Sequence, residues 1–314
     1  MNIHDAVFRF LAALIGQYAE KHTKKFLWTG DDVCSPSSDD SMNRVQRFYE
    51  HAVDLEEKRL TKSRYAQIEF EVMKRFLERY LPPSGYILDI GCSTGAYLIY
   101  LAEKGYRVSG IDLSRPAIER ARAKLKRRGL DRNVAHLAQG NAVDLSMFAP
   151  GTFDAVLSFG PFYHTLDLLS REHMLSEIAR VLKPGGLLFA SFLSRFAPVI
   201  QGMALYPSFF SESSFSETLR TGIRYARGSR YHTDIYTAHP EEVKSFMVQG
   251  GFHPRCLAAV EGLSAWRVWA IERGFRDEEE FRHLIDVLVS IAEEPCLLGA
   301  TIQTLCISES RKDR

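Results

Sequence analysis

Between Tyr86 and Asp112 the chain passes from an apolar run through a glycine-bearing turn and a helical stretch into a second apolar run that ends on an acid. Tyr86 to Ile90 suits a strand covered on both faces. Thr94 to Glu103 reads as a helix, and Arg107 to Ile111 as the next strand. A strand, turn, helix and strand of this kind place a ligand at the carboxyl ends of parallel strands. The unit is suited to a nucleoside. It leaves open a dinucleotide oxidoreductase, a phosphate binder and a methyl-transfer enzyme.

The same rhythm continues downstream. Ser114 is placed to cap a helix that tolerates Pro116 in its first turn. Val134 to Ala138, Phe153 to Ser158 and Gly186 to Phe192 supply three further strands. Arg171 to Leu182 is expected as the helix before the last of them, with Lys183-Pro184-Gly185-Gly186 as its stop and turn. His239-Pro240-Glu241 opens a helix reaching Gln249. A strand near Arg255 to Val260, a helix from Ala265 to Ile291 broken near Gly274, and a strand from Ala300 to Ser308 complete the pattern. Right-handed crossovers between successive strands build a mostly parallel sheet with helices on both faces.

Two regions depart from this rhythm. Residues 1–84 read as a helical segment, with a linker at 29–41 rich in Ser, Asp and Pro. In the first helix, Val7, Phe10, Leu11, Leu14 and Tyr18 form one apolar face, fit for packing or for joining a homodimer. Helical pattern resumes from Met42 to about Arg79, with a break near Thr61. The second departure is residues 195–237, which lack a clean period and leave the sheet where insertions overhang the ligand crevice. The sheet-forming region is thus 85–314, with this insertion as a lid or substrate wall.

The glycine turn alone does not choose the ligand. Gly91-Cys92-Ser93-Thr94-Gly95 lacks the third glycine of a dinucleotide fingerprint, and no Gly-Lys-Ser/Thr closes a phosphate loop. The turn is therefore poorly formed for a pyrophosphate. Asp112 is placed to accept both hydroxyls of a ribose, and Leu113 to lie against a base. Gln139-Gly140-Asn141-Ala142 offers polar and backbone groups to the base edge. Phe159-Gly160-Pro161-Phe162-Tyr163-His164 adds an aromatic loop near the same crevice. Four strand ends converging on one cavity is the arrangement of an open α/β sheet.

On these residues the chain resembles the class I S-adenosylmethionine-dependent methyltransferases, in particular members acting on small molecules, natural products or peptides. Asp89-Ile90-Gly91-x-Ser93-x-Gly95 is similar to the family's first motif, which approaches the amino-acid part of the cofactor. Asp112 matches its ribose-holding acid. Gln139-Gly140-Asn141-Ala142 resembles the adenine-framing motif, with Asn141 where an aspartate is usual. Phe153-Asp154-Ala155-Val156 and Leu182-Lys183-Pro184-Gly185-Gly186 resemble the fourth-strand motif and the turn before the fifth strand. The resemblance implies a Rossmann-like seven-stranded sheet whose last strand is antiparallel and inserted beside the fifth. It implies S-adenosylmethionine as cofactor, held by Asp89, Gly91, Cys92, Ser93, Gly95, Asp112, Leu113, Gly140, Asn141, Ala142 and Phe159. Cys92 itself reads as a buried packer.

A sulfonium donor is already electrophilic, so the protein's task is alignment, with a base only where the acceptor must lose a proton. His164 is the first base candidate. Tyr163 is a second catalytic candidate, and Tyr49, on a helix placed to close over the cofactor, a third. Their structural alternatives are a loop-ordering histidine and core tyrosines. Tyr231, His232, Tyr236, Arg230 and Glu261 are the substrate-binding candidates. Asp234 and His239 lie in the same polar stretch. A non-catalytic cofactor-binding partner protein remains the alternative function.

Composition narrows the partners. Net charge is +1 and 25% of residues are charged, which gives no general attraction to nucleic acid. The Arg120 to Arg128 run reads as a solvated helix face, and no Asn/Asp-Pro-Pro-Tyr loop is present. A nucleic-acid acceptor therefore ranks behind a small molecule or peptide. The five cysteines are far apart and form no zinc-type pair, so no metal is expected and a reducing cytoplasm fits. No run is long enough to cross a bilayer.

Overall fold

The computed structural model describes residues 38–205, 213–226 and 233–311. The expected first helix, most of the expected linker, and Arg230, Tyr231 and His232 lie outside these residues.

Helix α1 (Ser38–His51) begins inside the stretch expected as linker, because Ser-Asp-Asp-Ser there is a helix-start sequence rather than a spacer. Helices α2 (Val53–Arg59) and α3 (Arg64–Tyr80) follow, separated near Thr61 as expected. Ser63 caps α3, its hydroxyl accepting from Ala66 N at 3.3 Å. The face of α3 made by Ile68, Val72, Met73, Phe76 and Leu77 is buried, which joins this helix to the main core.

The α/β region then reads β1 (Tyr86–Ile90), α4 (Ala96–Glu103), β2 (Arg107–Asp112), α5 (Arg115–Arg127), β3 (Val134–Gln139) and β4 (Phe153–Ser158). After these come α6 (Pro161–His164), α7 (Leu168–Val181), β5 (Leu182–Ser194), α8 (Ala197–Leu205) and α9 (Ser213–Thr221). The chain closes with β6 (Ile223–Arg224), β7 (Ile235–Ala238), α10 (Pro240–Gln249), β8 (Phe252–Ala259), α11 (Val268–Gly274), α12 (Glu278–Ile291) and β9 (Gln303–Ser310).

The main sheet has the order β3-β2-β1-β4-β5-β9-β8. Strands β1 to β5 pair in parallel, and β9 runs antiparallel between β5 and β8. These seven strands give the Rossmann-like arrangement with an antiparallel last strand, and β7 with β6 joins them to make nine. One face is covered by α3, α4 and α12 over Ile87, Val108, Leu157, Phe189 and Leu305. The other is packed by α7 and α10 against Leu88, Ile90, Val156, Leu188 and Phe192.

Three boundaries differ from expectation. Helix α7 starts earlier, at Leu168, because Asp167 caps it, accepting from Ser170 N at 2.8 Å. Lys183-Pro184-Gly185-Gly186 does not separate helix from strand but forms a bulge within β5. Phe153 pairs Leu182 while Ala155 pairs Leu187, the extra residues turning through Gly185 at φ 76°. The helix expected from Ala265 opens instead as a short 3-10 turn (Gly262–Trp266) before α11, while the break near Gly274 falls as expected and Asp277 caps α12 through Glu279 N at 2.8 Å.

The insertion is anchored to the sheet. Strand β7 pairs in parallel with the end of β5, Leu193 with Thr237 and Ser194 with Ala238. Leu193 also pairs Gln303 of β9. A strand has two edges, so β7 must occupy the edge that β4 leaves at Ser158, whose partner is Ala190. The β6–β7 hairpin therefore stands above the carboxyl end of β4, over α6. Buried Arg195 fixes it, donating from Nε to Thr237 O at 3.0 Å and pairing with Glu242 at 2.7 Å.

Candidate functional site

The turn after β1 is set by backbone geometry. Gly91 and Gly95 have φ of 76° and 83°, and Ser93 between them has φ 48°. A side chain is costly in that region. Ser93 is held there because its amide donates to Asp112 Oδ2 at 2.8 Å. The amides of Gly91 and Cys92 donate to Ile111 O at 2.8 and 3.0 Å, locking the turn to the end of β2. Beneath it the Cys92 side chain is packed in the core, and burial raises its thiol well above the ordinary value, with Asp89 and Asp112 adding to the effect. Its thiolate is disfavoured, so its part in the site is through the main chain.

Around this turn opens a cleft with about 700 Å³ of empty space. Its walls include Gly91, Ser93, Asp112, Leu113, Gly140, Asn141, Ala142 and Phe159, from the ends of β1 to β4. Met42, Val45 and Tyr49 of α1 close it from outside, and Glu56 and Arg59 of α2 close one end. An inner recess continues between Glu56, Arg59, Asp89, Cys92, Ser93, Tyr97 and Phe159. The expected cofactor residues thus gather at one place. Gly95 sits at the head of α4, where it sets the turn rather than lining the cleft.

The charges divide the cleft into two ends. Asp112 accepts from Ser93 N and, through Oδ1, from Ser114 N at 2.8 Å. Burial pushes its carboxyl up to about 6, against the pull of these two amides. Each oxygen has room for one more donor, as a ribose diol supplies. Beyond Asp112, Asn141 Oδ1 accepts from Val143 N at 3.2 Å, and this small turn presents Gly140 and Ala142 to the cleft.

At the other end Asp89 is 2% exposed and its Oδ2 has no hydrogen-bond partner. Burial, and then the Asp112 charge, push its carboxyl up to about 8. An unpartnered buried carboxyl is costly, and a cationic group in the recess would relieve it. Arg59 stands in the same recess, bonded to Glu56 Oε2 at 3.0 Å and Glu69 Oε2 at 2.6 Å. The donor set therefore fits a molecule with a ribose, a flat base, an ammonium and a carboxylate. S-adenosylmethionine has these groups.

Sequence reading missed Glu56 and Arg59. The available signal was their phase, since Glu56 stands three positions after buried Val53 and four before buried Leu60, and Arg59 three after Glu56.

The expected catalytic candidates meet at α6. His164 is 9% exposed and lines the cleft. Its Nε2 is 2.7 Å from Tyr49 Oη, and the rings meet edge to face with centroids 5.3 Å apart. Its Nδ1 faces Thr233 Oγ1 at 3.0 Å and Asp234 O at 3.4 Å. A carbonyl only accepts, so donor and acceptor matching puts the ring proton on Nδ1 and makes Tyr49 the donor to Nε2. Burial lowers the His164 pKa to about 4, keeping the ring neutral at ordinary pH. Burial also raises the Tyr49 phenol well above its usual value.

Tyr163 contacts the His164 ring at 4.7 Å, but its hydroxyl donates to Phe159 O at 3.4 Å and its ring forms no wall of the cleft. Tyr236 lies away from the cleft, under the Arg171 guanidinium at 3.7 Å from its ring centroid, with its hydroxyl 3.5 Å from Glu242. Glu261 is buried at the end of β8. Its Oε2 accepts from Thr301 Oγ1 and Gln303 N, both at 2.8 Å, tying together the chain segments beside β8 and β9. Burial pushes its carboxyl up to about 7. Asp234 is also buried, and its carboxylate reaches α1 rather than the cleft.

Comparison with known proteins agrees with this geometry. Residues 87–186 match the family described as a methyltransferase domain. The chain is 38% identical over 104 residues to the cypemycin N-terminal methyltransferase of a Streptomyces species, covering 33% of this chain and 40% of that protein. It is 38% identical over 115 residues to the sarcosine/dimethylglycine N-methyltransferase of Halorhodospira halochloris, covering 35% and 38%. The chain thus spans well under two thirds of the length of these relatives. In fold it is similar to 1,6-didemethyltoxoflavin-N1-methyltransferase of Burkholderia thailandensis, with a TM-score of 0.57 at 15% identity over 90% of this chain and 93% of that one. No helix among the described residues is long and apolar enough to cross a membrane. The glycine turn, the acid at the end of β2 and the sheet order agree with the family match, and residues 87–186 lie in a class I S-adenosylmethionine-dependent methyltransferase domain.

Proposed function

We propose that the protein transfers a methyl group from S-adenosylmethionine to a small organic molecule or a peptide. The observation that carries this reading is the Tyr49–His164 pair, set in the wall of the same cleft as Asp112 and the Gly91 turn. The bound cofactor would supply an electrophilic methyl sulfonium. On the protein side, Asp112 would hold the ribose, and Leu113 with Asn141 and Ala142 would frame the base. Asp89 and Arg59 would hold the amino-acid end, while α1 would exclude water.

The roles of the pair follow from its protonation. Tyr49 donates to neutral His164, so its oxygen lone pairs are available to an N–H or O–H of the acceptor. An acceptor heteroatom becomes strongly acidic as its bond to carbon forms, and even a weak base suffices at that stage. The acceptor proton would pass to Tyr49 Oη as the phenolic proton passes to His164 Nε2. Tyr163 would serve by packing His164, and Tyr236 and Glu261 by bracing the walls. The relatives named N-terminal and N-methyltransferases support an amine-bearing acceptor within this class.

The test is incubation with methyl-labelled cofactor and fractions of cell metabolites or peptides. A labelled product that vanishes on Asp112→Ala is expected. Absence of labelled product from every fraction would overturn the reading.

A further inference from the structure

The insertion and the outer helix meet at one buried side chain. Asp234 is 1% exposed. Its Oδ2 accepts from Ser41 Oγ at 3.1 Å and from Arg44 Nε at 3.0 Å, with Arg44 Nη2 also on it. Its Oδ1 accepts from Ala226 N, just past β6, at 2.7 Å. Ser41 and Arg44 lie on α1, the helix that bears Tyr49 in its last turn and carries Met42 and Val45 into the cleft wall. The main-chain oxygen of the same residue faces His164 Nδ1 and also accepts from Thr233 Oγ1 at 3.1 Å.

Two requirements of the Tyr49–His164 contact therefore converge on adjacent residues. The histidine must carry its proton on Nδ1, so that Nε2 is free to accept. The helix bearing Tyr49 must stand at hydrogen-bond distance from that nitrogen. A Thr233 hydroxyl that donates to Asp234 O turns a lone pair towards Nδ1–H, which meets the first requirement. The Asp234 carboxylate, charge-paired with Arg44, meets the second. Neither residue lines the cleft, so neither need touch cofactor or acceptor.

We infer that Thr233 and Asp234 are positioning residues for the reaction, fixing the tautomer of His164 from one side and the approach of Tyr49 from the other. This rests on the methyl-transfer reading above. It goes further in making the irregular insertion part of the reacting apparatus. The other groups that bear on His164 are the Tyr163 ring and the Arg59 charge, and neither bonds to the imidazole in a way that selects a tautomer.

Nitrogen-15 NMR of the histidine-labelled full chain, with and without saturating S-adenosylhomocysteine, tests this directly. Wild type is expected to show His164 protonated on Nδ1 at neutral pH. Thr233→Val should give a mixed or Nε2-protonated ring while binding S-adenosylhomocysteine within about threefold of wild type, and Thr233→Ser should restore the wild-type signal. Asp234→Asn should shift the Nε2 resonance as Tyr49 loosens and weaken S-adenosylhomocysteine binding about tenfold. Arg44→Gln breaks the same tie from the partly exposed side and serves if Asp234→Asn does not fold. An Nε2-protonated wild-type ring, or unchanged His164 signals in Thr233→Val and Arg44→Gln, would overturn the inference. Failure of wild type to bind S-adenosylhomocysteine would instead overturn the methyl-donor reading, since the tautomer is read without the ligand.

Discussion

Tyr49 Oη stands 2.7 Å from His164 Nε2, joining the outer helix to the loop after β4 across 115 positions of sequence. The contact is made by the hydroxyl, whereas the Tyr49 main chain is tied to the Asp112 end of the cleft, its carbonyl accepting from Ser114 Oγ at 3.3 Å. That separation lets donor binding and methyl transfer be probed apart.

Tyr49→Phe removes the hydroxyl and keeps the ring against Phe48 and His164. Methyl incorporation is expected to fall by about a hundredfold in kcat, the scale of a lost positioned proton carrier. S-adenosylhomocysteine affinity, measured by calorimetry, should stay within about threefold. Equal losses in both would place Tyr49 in donor binding.

Asp112→Ala removes the acceptor of Ser93 N and Ser114 N together with the expected ribose contacts. Loss of hydrogen bonds to a charged group costs about 1.5–3 kcal/mol each. Titration with S-adenosylhomocysteine should therefore show a loss of affinity of about a hundredfold or more. An unchanged affinity would remove Asp112 from the site.

The glycine turn and the acid that meets it were legible in sequence because their geometry is local. Gly91, Ser93 and Gly95 must turn the chain sharply within one short segment, and Asp112 ends the very next strand. The surroundings of His164 were not. Asp234 was visible as a polar residue in an irregular stretch, but its bonds to Ser41 and Arg44 join segments about 190 positions apart. No period or spacing encodes such a pairing. Tyr236 and Glu261 show the reverse difficulty, since a polar side chain near a strand end looks alike in sequence whether it faces a ligand or braces a wall. Lys183-Pro184-Gly185-Gly186 read as a stop because proline and glycine end helices and make bulges with equal ease.

Asp89 gives a pH signature. In the unfolded chain its carboxyl titrates near ~4, and in the folded protein burial raises it to about 8. Between these values the folded state keeps a proton that the unfolded state has lost, so this group makes stability fall as pH rises through the window. Asp89→Asn should flatten that decline in denaturant titrations of the cofactor-free protein, leaving a smaller slope from Asp112, raised to about 6. The variant should be more stable than wild type near pH 8. Its S-adenosylhomocysteine affinity should nevertheless drop about tenfold, through loss of a charged partner for the ammonium.

Gly110→Ala tests the support beneath the turn. A Cβ there would stand 2.6 Å from Leu98 Cδ1 and 2.9 Å from Cys92 Sγ. Overpacking of this kind costs about 1–3 kcal/mol. The melting temperature should fall, and donor affinity with it, because Cys92 belongs to the turn. A normal melting temperature with normal affinity would show that the core yields there without disturbing the loop above.

Leu193 pairs with β9 on one side and β7 on the other. The roof over the His164 end of the cleft is therefore not an appendage on a hinge but is paired into the same sheet whose β1 to β4 ends wall the cleft. Such a construction behaves as a machinist's jig, in which the workpiece and the tool are referred to one rail. Diversity in the insertion can reshape the chamber without resetting that alignment, so long as the short run from Leu193 to Arg195 still seats Thr237 and Ala238.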